Sequence, residues 1–507
     1  MSAKWGLPTK WSDVMAYLRE VPRCKIFHEF TPEEQRQHFS IYDKKVIHNI
    51  DTLYYSVYLD ESDEKRVGEF VNVLKDYKEQ VMQDRGTDYE ILDFLFTPFS
   101  FSIYSFCLRV ENMYDVFISS YLPNKNTPRI VVQLRSVSLW VDGVHTAVEN
   151  SIQHLQRLLD CFGVRIERTM ENRFDYAFHT NSIQNGYRFF GDKALLRSLK
   201  TSLRKYQKVG DIGREITIDY FALGMRDSNN IFFRAYNKTK EVIEENYKSF
   251  FIDYWYENKL ISAFDKYCLE HAYRKGSYNA LIEGRCLWYL EYGKDMALKA
   301  EIKHLLNTCL GKSDNYEFLD DSIRGIIPEV TMVMNIEFQT KRKFYHTFEK
   351  HIGMWKCSRP DSPCARIYKI IDNRKAILDY LTTYTVCFKS GQKVSAWWQR
   401  VQSCRIRDDI GGKFIREYTR KLDKEKLKRR IVNSVAAYSL YNGNFKPDMT
   451  TDFSDFISVL NDNDVYGGSI ALVDTGTGAF ADLNQPDYAE RKKKKERVIR
   501  RLLPKVE

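Results

Sequence analysis

The sequence predicts an α+β fold: a mainly antiparallel sheet with one face covered by helices and one face open, a helical insertion, and a helical basic C-terminal region. Three observations predict it. Segments 129–135, 173–179, 231–238 and 331–339 each set apolar residues on one side and polar or ionisable ones on the other, the period-two pattern of a half-buried strand. Amphipathic helical stretches separate several of these segments. Residues 240 to about 310 are aromatic and helix-periodic, which reads as an insertion. Strands with one polar face suit an antiparallel sheet that buries a single side.

In chain order, residues 1–45 read as a helical N-terminal extension, with Trp11–Leu18 amphipathic and Thr31-Pro32-Glu33-Glu34 a helix start. A main domain spans 46–360. It opens with a strand at Ile50–Tyr58 and a charged helix at 62–85. Strands follow near Phe101–Arg109, Tyr114–Ser119 and Arg129–Arg135, then an amphipathic helix from Thr146 to Phe162. Further strands fall at Arg173–His179, Ile216–Leu223 and 231–238. The helical insertion, about 241–325, precedes the strand at 331–339. Residues 361–435 read as helical and basic. Residues 436–507, rich in Asn, Asp, Gly and Thr before a basic tail, read as linker and arm.

The chain has 507 residues, enough for two or three compact units. No apolar run approaches the ~18 residues that span a bilayer, so no membrane partner is expected. The first ten residues lack a basic-then-apolar pattern, so no signal peptide is expected. Ten cysteines without a CxxC pair fit free thiols in a reducing cytoplasm. The net charge of +10 is concentrated locally, which points to a polyanion partner.

The polar sides of the strands carry the chemistry. Arg234, Tyr236 and Lys238 share one face of their strand. A tyrosine between two cations is a candidate nucleophile, because positive charge favours phenolate and also holds a phosphodiester. The same strand also reads as an exposed one whose Tyr and Lys shield its surface. Asp175, Glu337 and His179 on neighbouring strands have the donor atoms for one Mg²⁺ or Mn²⁺, acting as a Lewis acid on a phosphate. Asp175 and Glu337 read equally well as strand-face acids paired to Arg173 or Lys341.

Phosphate contacts are expected from Arg135, Lys341, Arg405, Arg407, Lys428, Arg429, Arg430, Lys492, Lys493 and Lys494, all in basic segments or on the polar face. Trp397 and Trp398 read either as packed core or as a platform for unpaired bases. Tyr345, Tyr380 and Tyr384 are the other tyrosines weighed as nucleophiles.

Three blocks carry a family resemblance. Gly224-Met225-Arg226-Asp227-Ser228 followed by Arg234-Ala235-Tyr236-Asn237-Lys238 and Glu241 resembles the active-site signature of the replication initiation factor family. These are rolling-circle replication initiators of Gram-positive plasmids, with related relaxases of integrative conjugative elements and phage initiators. Arg173–Phe178 and Asn335–Gln339 are similar to two further strands of that family, in the same order.

The resemblance covers about residues 45–400. It implies that Tyr236 nicks one DNA strand at an origin, forms a 5′-phosphotyrosyl link and frees a 3′-OH. It places Arg226, Arg234 and Lys238 on the basic positions and Asp175 and Glu337 on the acidic ones. It implies DNA, duplex and single-stranded, as partner, with a host helicase and polymerase, a homodimer as a further option, and a bacterial cytoplasm. Two positions depart from the pattern: His179 stands where a second Asp is usual, and Asn335 where an Arg usually precedes the Glu. A conjugative relaxase with the same chemistry and a non-catalytic origin-binding protein are the alternatives.

Overall fold

The computed structural model describes residues 24–41, 44–60, 64–83, 89–121, 128–203, 206–209, 218–227, 229–244, 248–309, 315–346, 348–349, 352, 355–406, 424–445, 449–460, 492–493 and 496. The expected helix at Trp11–Leu18 lies outside them, as do Arg407 and Lys494.

The fold is α+β, built on a large antiparallel sheet. In chain order its strands are β1 (Val46–Leu59), β2 (Tyr89–Ile91), β3 (Phe94–Thr97), β4 (Phe106–Val110), β5 (Tyr114–Ile118), β6 (Ile130–Leu134), β7 (Ile166–Thr180), β8 (Leu199–Thr201), β9 (Tyr206–Val209), β10 (Tyr220–Leu223), β11 (Ile231–Asn237), β12 (Met334–Lys341), β13 (Val386–Ser390) and β14 (Lys393–Val394). Eleven of them form one sheet in the order β2-β3-β4-β5-β6-β1-β7-β12-β11-β10-β9. The other three make a small sheet, β14-β13-β8.

Cross-strand register makes one face of the large sheet continuously apolar. Tyr55, Val132, Val116, Leu108 and Phe96 lie in one row, and Tyr176, Phe338, Phe233 and Leu223 in another. Helices cover this face. The helix Val144–Asp160 buries Ile152, Leu155 and Leu159 and joins Ser151 to the Tyr55 hydroxyl. Trp398, from the helix Ala396–Gln402, packs on Phe233 and Phe338 and donates to the Thr382 carbonyl. It is therefore core and not a base platform. Burying such aromatics is worth roughly 2–3 kcal/mol each.

Two bulges set the polar residues. Between Ile50 and Thr52 of β1, residue Asp51 is extra relative to the Tyr176–Asp175 step of β7. It is therefore re-aimed onto the face opposite the apolar one, where its carboxylate accepts from Trp140 Nε1 at 3.1 Å. A second shift lies between Tyr54 and Tyr55. It leaves Glu171 buried on the helix-covered side, paired with Arg366 of the helix Ala365–Asp372.

The polar face is only partly open. Trp140, from the short helix Ser136–Val141, stacks on His179 at 4.4 Å, and Phe251 and Trp255 of the helix Phe250–Glu257 close over the same ring. The expected open face is thus lidded at its His179 end, because apolar rings from those helices need burial there. It stays accessible at the Arg173 end.

Among the described residues six helices, Lys238–Glu244, Phe250–Glu257, Ala263–Lys275, Ala280–Tyr292, Met296–Cys309 and Asn315–Ile323, lie between β11 and β12. Among the described residues no helix is long and apolar enough to cross a membrane.

Two expectations beyond the sheet are corrected. Val386–Ser390, read within a helical stretch, is strand β13, because it has a partner edge in β8 that a local reading cannot see. Residues 449–460, read as linker, form a helix whose Phe456 packs on Tyr438 and whose Asp452 is buried.

Candidate active site

Register brings Tyr236 and Arg234 together with Glu337, while Arg226 lies in the turn between β10 and β11. Tyr236, Asn335 and His179 stand opposite one another on β11, β12 and β7. Arg234, Glu337 and Ala177 form the next row, and Phe232, Gln339 and Asp175 the one after. Successive same-face rows are two residues, roughly 7 Å, apart.

Three groups converge on the Tyr236 hydroxyl. Asn335 Nδ2 donates to it at 2.8 Å and Lys238 Nζ at 3.4 Å, while the hydroxyl donates to Glu337 Oε2 at 3.4 Å. Glu337 is itself fixed. Its Oε1 accepts from Arg234 Nε at 2.8 Å and pairs with Nη2 at 2.7 Å, and its Oε2 accepts from Asn335 at 3.1 Å. Lys238 opens the helix Lys238–Glu244, so Glu241 falls one turn on and pairs with its amine at 2.6 Å. Asp51 lies 3.7 Å from the same amine, and Lys248 pairs with Glu241 from the other side.

The electrostatics differ from the expectation of an activated phenolate. The Tyr236 residue is only 9% exposed. Burial, then the nearby Glu241 and Glu337, push its phenol well above the ordinary value, and Arg234 only partly offsets them. Burial likewise raises the Glu337 carboxyl, against the pull of Arg234 and with Asp175 and Asp51 adding to the rise. Burial alone would lower the Lys238 amine, but Asp51 and Glu241 outweigh it and keep it charged. Glu241, despite burial, is held well below its usual range by Lys238 and Lys248. The resting site is therefore a neutral phenol hydrogen-bonded to the Glu337 carboxyl group, with an ammonium and an amide aimed at the same oxygen.

The three expected metal ligands are not assembled. Asp175 and His179 are four residues apart on one strand, roughly 13 Å. Asp175 is clamped by Arg173 through Nε at 2.8 Å and through Nη2. His179 accepts at Nδ1 from Trp255 Nε1 at 3.1 Å, and burial lowers its basicity so far that it stays neutral. Its place among Trp140, Phe251 and Trp255 is that of a packed core ring. Among the described residues no three His, Cys, Asp or Glu side chains gather where they could hold a metal ion. The expected donor set does not fit Mg²⁺ or Mn²⁺.

A basic rim leads away from the site along the accessible end of the face. Arg109, Asp115, Gln133, Tyr54, Arg173 and Lys341 are aligned across six neighbouring strands, roughly 24 Å. Arg135 joins Asp115 from just beyond β6. The Arg135, Arg173 and Arg234 side chains are 38%, 21% and 21% exposed, while their carboxylate partners are buried. Lys341 donates to the Arg226 and Asp227 carbonyls at 2.6 and 2.8 Å, pinning the turn that follows Gly224. At Gly224 φ is +86°, a conformation that disfavours any side chain. Partial burial and the charges of Arg173 and Arg226 depress the Lys341 amine. An arriving anion would relieve that repulsion.

The other expected DNA contacts divide. Arg405 and Lys493 are exposed. Lys428, Arg429 and Arg430 fall in the helix Lys424–Tyr441, with their side chains outside the described residues. Lys492 is no phosphate contact. It is 1% exposed, pairs with Asp452 and donates to Ser439 at 2.7 Å, because the acid on the helix Met449–Leu460 is buried and needs a cation.

Sequence reading missed two members of the site. Asn335 carried a usable signal, since it shares the parity of Glu337 on its strand. Asp51 carried none, because a bulge breaks the parity that would have located it.

No family model matches the chain, and no curated protein does. Among solved structures, the rolling circle replication initiator protein from Geobacillus stearothermophilus is similar at 10% identity and a TM-score of 0.34, over 72% of this chain and 100% of that one. A likeness this slight assigns no residue a role.

Proposed function

We propose that this chain initiates rolling-circle DNA replication by nicking one strand with Tyr236. The observation that carries the reading is the convergence of Asn335, Lys238 and Glu337 on one phenolic oxygen beside a basic rim. Glu337 accepts the phenol's proton as the oxygen attacks phosphorus. The P–O3′ bond breaks, the P–O(Tyr236) bond forms, and the departing 3′-oxygen takes up a proton from water. Lys238 and Asn335 donate to the charge that develops, and Arg234, Arg173 and Arg226 hold the flanking phosphates. The freed 3′-OH primes a polymerase, and strand displacement calls for a helicase. A conjugative relaxase makes the same link and differs in the DNA site it reads.

A second reading is favoured by one observation, the depth of the phenol. A DNA-binding protein that keeps this network only for structure would bury Tyr236 in the same way.

The two are separated with supercoiled DNA carrying the protein's own origin, incubated with Mg²⁺, with Mn²⁺ or with chelator. Protein joined to a 5′ end, lost in Tyr236→Phe, is expected from the first reading. Binding without any covalent product would leave only the second.

A further inference from the structure

A cleft of about 440 Å³ opens between the segment that follows β12 and the helix Arg374–Tyr380. Its walls are Phe344, Phe348, Trp355, Ile377, Tyr380 and Tyr384. We infer that this cleft stacks an unpaired nucleobase of single-stranded DNA, a role that rests on the reading of the chain as a DNA-nicking protein.

Four observations carry it. The rings are arranged as a slot: Phe348 and Tyr380 lie 5.0 Å apart at 74°, and Tyr380 and Tyr384 5.7 Å apart at 39°. Two of them are unusually accessible, with Tyr384 72% exposed and Tyr380 37%. Large aromatic rings left in water at the mouth of a cleft are what a planar ligand covers. The segment that presents Tyr384, Leu381–Thr385, is a π-helical turn, a rare geometry enriched at functional positions.

The cleft also carries positive charge of its own. The helix Arg342–His346, which supplies Phe344, begins at the residue after Lys341 and carries Arg342, Lys343 and His346. A strand whose base enters the cleft thus has cations for its phosphates on the helix that lines it.

These tyrosines do not form a second nucleophilic centre. The carboxylate among the cleft's lining residues, Asp379, is paired with Lys375. Tyr345 is buried and bonded to Thr340 and, at 3.0 Å, to Tyr176. A stacking slot needs ring faces and no base, and ring faces are what the cleft offers. Its volume is in the range of small-ligand pockets.

The test is fluorescence anisotropy with a short labelled oligo(dT), the same strand made abasic, and a duplex, none of them cleavable. Tyr384→Ala with Tyr380→Ala is expected to weaken oligo(dT) binding about tenfold or more, with little change for the abasic strand or the duplex. Tyr384→Trp should restore binding. Equal losses on all three probes, or none, would overturn the inference. So would sedimentation showing that the double variant instead loses self-association, which would make the cleft a contact between two copies. Because the probes cannot be cut, the outcome is independent of whether Tyr236 forms a covalent link. A covalent product with an inert cleft would leave the nicking reading standing without this inference.

Discussion

Asn335 stands directly across from Tyr236 on the neighbouring strand, and its amide nitrogen donates to the phenolic oxygen at 2.8 Å. The same nitrogen reaches Glu337 at 3.1 Å, so one amide orients both the phenol and the carboxyl group that the proposed chemistry uses. Asn335→Ala should therefore slow covalent attachment about a hundredfold to a thousandfold, the usual cost of one donor to a developing charge. Affinity for uncleaved DNA should hardly change. A quench-flow time course of adduct formation, set beside a binding isotherm, checks both halves.

Glu337→Gln removes the acceptor but keeps the shape and Asn335's partner. Adduct formation is expected to fall by about 10²–10⁴. It should also lose its dependence on the acidic limb of the pH–rate profile. A Gln variant as active as the parent would remove Glu337 from the chemistry.

Buried tyrosines set the alkaline limit of the fold. Tyr236, Tyr55, Tyr77 and Tyr345 are raised well above the ordinary 10.0, chiefly by burial. A phenol that holds its proton more tightly when folded contributes fully below pH 10 and loses that contribution as pH rises, because the unfolded chain ionises first. Each such group costs about 1.4 kcal/mol per pH unit above 10. Urea titrations at about pH 9 and about pH 11 should show this fall, with a shallower one in Tyr236→Phe.

His179 is packing, so His179→Ala should lower stability by about 3 kcal/mol, the scale of a large buried ring cut to a methyl. Mn²⁺ binding followed by electron paramagnetic resonance should be the same in this variant and the parent. A selective loss of Mn²⁺ without a drop in melting temperature would restore the ligand reading.

Lys492→Met leaves Asp452 buried without its cation, which should cost about 3–5 kcal/mol by calorimetry. The salt slope of DNA binding should not move. Arg226→Ala should do the opposite, leaving stability alone and lowering the slope by about one.

Strand parity made most of the site legible. Arg234, Tyr236, Asp175, Glu337 and His179 were all placed on one face from alternation alone, and register brings four of those five within two rows of one another. What alternation could not convey was depth. Whether a polar face meets water depends on what lies over it, and Trp140, Phe251 and Trp255 come from helices whose docking is not written in any strand. The phenol's raised proton affinity follows from burial of the same kind, with Glu241 and Glu337 adding to it. Local reading also failed at β13, where the deciding partner is about 190 residues away in β8.

The extra residue in β1 adds a carboxylate to the polar face without displacing its neighbours. Asp51→Asn forfeits one charge beside Lys238 and keeps an acceptor for Trp140. Deleting the residue would leave Ile50 opposite Tyr176 and bring Thr52, opposite Asp175, directly after it, so the ladder would run unbroken and every other side chain would keep its face. A folded deletion variant is therefore expected, short only of the acid that Trp140 and Lys238 share, and a misfolded one would show that the bulge itself is needed to phase the two halves of β1.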